Sequence, residues 1–332
     1  MKTKQIIGIV VAALMFIIVC VTSVATKKLF GDVSSDLFKS TSSTSTTPDG
    51  DYVGVLKVEG TMTTAETAAG LFEAEGYSHS DLIDTIDDYM EDDNNVGMLL
   101  YVNSPGGTVN AADELYLKLM EYKKETKNPI YVYMADEACS GGYYVSVAGD
   151  KIYGNRNTWT GSIGVYMELA NYKALFDKLG IKTTYIKAGA NKTMGSATQE
   201  LTEEQSKILQ SIIDESYEQF IEVIVAGRKN MTEQEIRKAA DGRIYTAKQA
   251  KDVGLIDDVK FYDEVIDIIY KDLGENIEIY EEDGDELSAL FGDLFSDVKS
   301  FLNSKDKSET EQILEMIEKD GSGVPMYYAK PQ

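Results

Sequence analysis

The chain has 332 residues, enough for a substantial core in one or two domains, and its apolar (43%) and charged (27%) fractions are those of a folded protein. A formal charge of -24 repels nucleic-acid phosphates and anionic lipid headgroups, so the chain as a whole is unsuited to binding either. Two cysteines, Cys20 and Cys139, exclude a disulfide scaffold, and His79 is the only imidazole.

Residues 6–25 (IIGIVVAALMFIIVCVTSVA) carry no charge. That run matches the ~20 residues needed to cross a ~30 Å hydrocarbon core, and it predicts an N-terminal transmembrane helix. A cleaved signal peptide, with Ser23-Val24-Ala25 as a small-x-small site, is the alternative. Lys2 and Lys4 before the span balance Lys27 and Lys28 after it, so basic residues give no orientation bias. A short span leading directly into a folded region resembles a signal anchor, which sets the expectation of a single-pass protein of the cell membrane with its bulk on the extracytoplasmic side. Residues 34–50, ending in STSSTSTTPDG, are polar and read as a tether. The expected organisation is an anchor over 1–28, a Ser/Thr-rich linker over 29–50, an α/β domain over 51–272 and an acidic extension over 273–332.

Within the domain, alternating β-branched residues predict a strand over 52–59 and a helix follows over 81–91. Residues 97–103 (GMLLYVN) form a nearly continuous apolar run, as a buried parallel strand requires, and stop at Ser104-Pro105-Gly106-Gly107. A helix over 110–126 turns Ala112, Leu115, Leu119 and Tyr122 to one side. A strand over 129–134 leads to a second glycine-rich turn and a helix over 140–148. Short strands are expected over 151–153, 162–167 and 183–187, and helices over 172–179 and 201–226. Repeated strand–turn–helix units imply a layered α/β domain with a mostly parallel sheet, whose chemistry collects beyond the carboxyl ends of the strands.

Ser140 heads Ser140-Gly141-Gly142-Tyr143-Tyr144 after a strand and at the start of a helix. It is either a helix N-cap or a nucleophile beside free N–H groups that can stabilise developing negative charge. Gly106-Gly107 after the neighbouring strand would bring further N–H groups close, which makes Gly107 and Gly141 candidate oxyanion donors; ordinary turn chemistry is the competing account. His79 lies in a polar stretch before a helix and reads as a surface residue. A base for Ser140 must then be another residue, and serine–lysine pairs are an established variant. Lysine titrates near ~10.4 in water and must be desolvated or set near positive charge to act as a base. Lys192, among small and apolar residues after the strand over 183–187, is the candidate.

Taken together, these residues resemble the bacterial signal peptide peptidase A family of Ser-Lys peptidases. The likeness spans residues 52–268. It rests on Asn103-Ser104-Pro105-Gly106-Gly107, Ala138-Cys139-Ser140-Gly141-Gly142-Tyr143-Tyr144, Thr160-Gly161-Ser162-Ile163-Gly164-Val165 and Asn191-Lys192-Thr193-Met194-Gly195-Ser196. It rests also on Ala240-Asp241-Gly242-Arg243-Ile244-Tyr245 with the Ala247-Lys248-Gln249-Ala250 and Gly254-Leu255-Ile256-Asp257 that follow. The resemblance implies a crotonase- or Clp-like layered fold and cleavage of released signal peptides and other short hydrophobic peptides. By position it implies Ser140 as nucleophile, Lys192 as general base, Ser162 orienting the lysine amine, and Gly107 and Gly141 as oxyanion donors. At this single-domain length it further implies a homo-oligomer, an octamer in which lysine reaches a neighbour's serine. Ala197 stands where the family often has proline, and the acidic region from Glu275 lies beyond the likeness.

The acidic region, 275–320, carries fifteen Asp and Glu against four Lys, nearly half of the net charge. Within it, 285–302 shows an i, i+3, i+4, i+7 apolar stripe suited to packing on the domain or a neighbour. Val324-Pro325-Met326-Tyr327-Tyr328-Ala329 is apolar and ends on a small residue, so the tail is expected either to enter the active-site groove, to be bound or trimmed there, or to remain a disordered end. No metal-ligand cluster or dinucleotide fingerprint occurs, and the glycine turns call for no cofactor. Two other readings compete with a peptidase: an acyl-CoA hydratase or isomerase of the same broad fold, and a non-catalytic membrane scaffold.

Overall fold

The first strand, β1 (Tyr52–Glu59), is buried from Tyr52 to Leu56 and at Val58, with only Lys57 and Glu59 exposed, as a strand covered on both faces requires. The computed structural model describes residues 47–65 and 76–281, together with the backbone of Met326–Tyr328. β1 is followed by helix α1 (His79–Glu91), β2 (Asn95–Ser104), β3 (Gly106–Thr108) and α2 (Val109–Thr126). Then come β4 (Ile130–Cys139), α3 (Gly141–Ser146), β5 (Lys151–Gly154), β6 (Trp159–Gly161) and α4 (Lys173–Leu179). The long α5 (Glu203–Gly227) precedes α6 (Glu233–Ala239), β7 (Ile244–Thr246), α7 (Ala247–Val253), β8 (Asp258–Val259), α8 (Tyr262–Leu273) and β9 (Glu278–Glu281). Last is β10 (Met326–Tyr328).

The architecture is α/β with a mostly parallel sheet, ordered β7-β6-β4-β2-β1-β9. All its described pairings are parallel except β6 with β7. β4 serves two neighbours in turn. Tyr131 to Met134 pair with β5, which also carries β8, and Glu137 to Cys139 pair with β6. The switch occurs where the Thr158 hydroxyl donates to the Met134 carbonyl, 2.9 Å, and to that of Ala135.

Side-chain alternation divides the core between the two faces of the sheet. Met98, Leu100, Val102, Ile130, Val132 and Met134 pack toward α1, α2, α3 and α5. Leu99, Tyr131, Tyr133 and Tyr153 face the other way, onto Val265 and Ile269 of α8. The central strands are buried on both sides, which explains why β2 is apolar with little alternation. α1 buries Leu82, Ile86 and Tyr89, an i, i+4, i+7 stripe.

Two expectations need correction. The short strand anticipated over 162–167 lies instead at Trp159–Gly161. Gly161 (φ 79°) and Ser162 (φ 50°) both take left-handed backbone, which ends the extended path. No strand forms over 183–187, and among the described residues no strand pairs with the segment. Among the described residues no helix is long and apolar enough to cross a membrane. The apolar run over 6–25 and the amphipathic stretch over 285–302 lie outside them.

Candidate active site

β4 ends at Cys139 and α3 begins at Gly141, so the chain must reverse direction at Ser140. It does so with φ 53° and ψ -112°, a conformation that L-residues avoid. Among the described residues, only Lys127, Ser140 and Ser162 combine a side chain with positive φ. Lys127 is an ordinary left-handed helix cap; the other two are the candidate serines. Such backbone costs on the order of 1–3 kcal/mol and persists only where its surroundings enforce it. Here Ser140 N donates to Gly161 O at 2.7 Å, and Tyr144 N donates to Ser140 O at 2.8 Å. The rings behind are fixed as well: Tyr143 Oη donates to Leu255 O at 2.8 Å and Tyr144 Oη to Asp113 Oδ1 at 2.6 Å. The Ser140 side chain makes no capping hydrogen bond to α3. The N-cap account therefore fails, and a strained serine, 1% exposed, remains at the head of a helix.

β2 and β4 are neighbours, with Ser104 opposite Ala138, so their carboxyl ends bring the two glycine loops together. Ser104, which the sequence analysis did not single out, organises the first loop. Its hydroxyl donates to Gly60 O at 2.6 Å and accepts from Gly106 N at 3.1 Å. Only its place in Asn103-Ser104-Pro105-Gly106-Gly107 hinted at this role. Gly107 admits no side chain: a Cβ would stand 1.9 Å from Met62 O. A Cβ on Gly141 would stand 3.2 Å from Gly107 N. The two candidate oxyanion residues are thus separated by little more than the space of one methyl group.

Cys139 pairs with Gly161, so Ser140 and Ser162 leave adjacent strands side by side. Residues 240–245 support Ser162: its N–H donates to Arg243 O at 2.8 Å, and Gly242 N donates to Ile163 O at 3.1 Å. Beside the serine, burial and then the nearby Glu137 carboxylate push the Cys139 thiol up to about 12. Burial and the adjacent Asp136 likewise raise Glu137 above the usual carboxylate range.

Lys192 is placed differently. It is exposed, and among the described residues no hydrogen bond or ion pair joins it to Ser140 or Ser162. Its loop is ordered from within. Lys187 Nζ donates to Ala190 O and Thr193 Oγ1, each at 2.9 Å, and Gln205 Nε2 donates to Asn191 Oδ1 at 3.3 Å. Residues 164–204, which carry this loop and α4, hold no buried residue at all. Yet they are not polar: Leu179 is 64% exposed and Ile186 is fully exposed at 101%. His79 is remote in role, its Nδ1 2.6 Å from Tyr77 Oη and its Nε2 3.1 Å from Glu114 Oε2.

One further contact bears on the site. The backbone of β10 pairs antiparallel with β3, with Met326 opposite Thr108, Tyr327 opposite Gly107 and Tyr328 opposite Gly106.

A protein-family model described as peptidase family S49 matches residues 122–274, a range that includes Ser140, Gly141, Ser162 and Lys192. The chain is 37% identical over 218 residues to a putative signal peptide peptidase SppA of Enterococcus faecium, covering 65% of this chain and 62% of that protein. It is 38% identical over 224 residues to the putative protease MJ0651 of Methanocaldococcus jannaschii, covering 67% of this chain and 71% of the relative. Protease 4 of Haemophilus influenzae is 29% identical over 215 residues, 64% of this chain but only 34% of that longer protein.

Proposed function

The chain belongs to peptidase family S49 and is a serine-type peptidase, and from that premise we propose a membrane-anchored endopeptidase that uses a Ser140–Lys192 dyad to degrade released signal peptides and other short hydrophobic peptides. The observation that carries this reading is the strained backbone of Ser140, beside Gly107 and Gly141 and free of any capping duty. The Lys192 amine takes the proton from Ser140 Oγ as that oxygen attacks the scissile carbonyl. Gly107 and Gly141 N–H groups stabilise the oxyanion; the C–N bond then breaks, and the departing amine takes the proton from Lys192. Water, deprotonated by the same amine, releases the acyl group. Ser162 holds the amine in line. The domain is of the crotonase type, with the run over 6–25 as its anchor and its catalytic part on the extracytoplasmic side.

The lysine reaches a serine by assembly. Residues 164–204 expose apolar side chains without a core of their own, as expected of an arm that packs on another copy. A ring of such head-to-tail contacts, an octamer, brings Lys192 of one subunit to Ser140 of the next.

The edge of β3 takes an extended peptide by main-chain pairing, and the 326–328 backbone supplies an example. The tail accordingly acts as a tethered ligand of the groove and is trimmed there. An intact-mass spectrum tests this, because Ser140→Ala protein should keep C-terminal residues that the active protein loses. The primary experiment is hydrolysis of a short hydrophobic peptide by the native chain, Ser140→Ala and Lys192→Ala. Both variants should lose activity while keeping fold and assembly, and full activity in either one rejects the dyad.

A further inference from the structure

The segment that leaves β1 crosses the site at one residue. Gly60, with φ 80°, turns the chain, and its carbonyl accepts from the Ser104 hydroxyl. Two residues later Met62 lies alongside β3 as a parallel bridge to Gly107. Its N–H donates to Gly106 O at 2.9 Å, and its carbonyl accepts from Thr108 N at 2.9 Å. These bonds hold the loop that carries the first candidate oxyanion donor. The Met62 side chain is fully buried, and its sulfur stands 3.3 Å from where a Cβ on Gly141 would lie. A single residue thus grips Gly106 to Thr108 through its backbone and fills the space against Gly141 with its thioether. An unbranched, polarisable side chain suits such an irregular gap.

We infer that Met62 is a positioning residue for the oxyanion hole, setting the separation between the Gly107 and Gly141 N–H groups. This rests on the reading of Ser140 as nucleophile. Donors contribute to catalysis only where they meet the oxygen of the tetrahedral adduct. Loosening their spacing therefore lowers the rate of the chemical step more than it weakens substrate binding.

The test compares the native full-length chain with Met62→Ala, Met62→Val and Met62→Leu on one short hydrophobic peptide substrate. A peptide aldehyde of the same side chains serves as a probe that becomes tetrahedral on the serine. Met62→Ala should lower kcat by about 10- to 100-fold, with KM within about threefold, and weaken aldehyde inhibition by a similar factor. Met62→Leu, close in volume, should stay within about threefold of native. Met62→Val should fall between them and substitutes for the alanine variant if that one does not fold. Unchanged kcat in Met62→Ala and Met62→Val, or a loss confined to KM, overturns the inference. The nucleophile reading is judged separately: activity persisting in Ser140→Ala removes it whatever the Met62 variants do.

Discussion

Ser140 and Ser162 stand next to each other across the β4–β6 seam, both with positive φ, and joined by the bond from Ser140 N to Gly161 O at 2.7 Å. Two strained serines on adjacent strand ends are not a requirement of the sheet, which could close with glycine at either place. The strain is borne by the surrounding packing: Tyr143 and Tyr144 anchor one side, residues 240–245 the other. The arrangement gives a physical reason for a motif that otherwise reads as loop, since Arg243 O and Gly242 N hold the Ser162 turn.

Replacing Ser140 by glycine separates strain from chemistry. Glycine adopts φ 53°, ψ -112° without steric cost, releasing part of the ~1–3 kcal/mol stored there. The added freedom of the unfolded chain takes back about 0.4–1 kcal/mol. Ser140→Gly should therefore be as stable as the native chain, or more so by up to about 2 kcal/mol, while hydrolysis is lost. Thermal melts beside a peptide assay check this, and a loss of more than about 1 kcal/mol would show that the Ser140 turn stores no strain.

Subunit sharing makes a different prediction. Ser140→Ala and Lys192→Ala should each be inactive alone, yet a co-assembled equal mixture should recover about a quarter of native activity, since random mixing joins an intact serine to an intact lysine at that frequency. Ile186→Asp, which charges a fully exposed apolar position, should reduce both assembly and activity without lowering the stability of the isolated subunit. Analytical ultracentrifugation alongside the assay reads both. Full activity in a monomer would end the proposal that the lysine is donated between copies.

Much of this fold was legible because local pattern and tertiary role agree. β1 spans 52–59 as alternation predicts, and the unbroken apolar run of β2 reports burial on both faces. The paired loops at Gly107 and Gly141 were visible from glycine and strand placement. Other features depend on partners that no local pattern encodes. β3 is a strand only because Met62 and the 326–328 backbone lie along it. The segment over 183–187 has the composition of a strand, but no strand among the described residues pairs with it. Met62 carries no motif, and its role appears only where β1 passes the two loops.

Cys139 precedes Ser140, the proposed nucleophile, but should be chemically silent. Its thiol is pushed up to about 12 by burial and then by Glu137, so the thiolate forms only as the pH rises toward that value, well above the ordinary range. At pH 8 the native protein, in a Cys20→Ser background, should resist iodoacetamide for hours and label at once in urea. Activity should survive the alkylating treatment unchanged. Rapid native labelling with loss of hydrolysis would mean that Cys139 is exposed to the groove.

The last prediction concerns the support behind the site. Arg228, whose side chain is 5% exposed, donates from Nη2 to Asp257 Oδ1 at 2.9 Å and to Gly254 O at 2.8 Å. Asp257 Oδ2 also accepts from Ile152 N at 2.7 Å. The pair therefore ties the end of α5 to β5, the neighbour of the strand that carries Ser140. Asp257→Ala leaves a buried guanidinium with the Gly254 carbonyl as its one remaining partner, and an unpaired strand N–H. Asp257 is itself 37% exposed, so water offsets part of the loss and the expected cost is about 2–3 kcal/mol. Adding Arg228→Met should recover at least half of it, because the uncompensated charge, rather than the missing attraction, dominates. Urea unfolding of the single and double variants measures both quantities. A cost below about 1 kcal/mol in Asp257→Ala would mean that the Gly254 carbonyl suffices to hold Arg228.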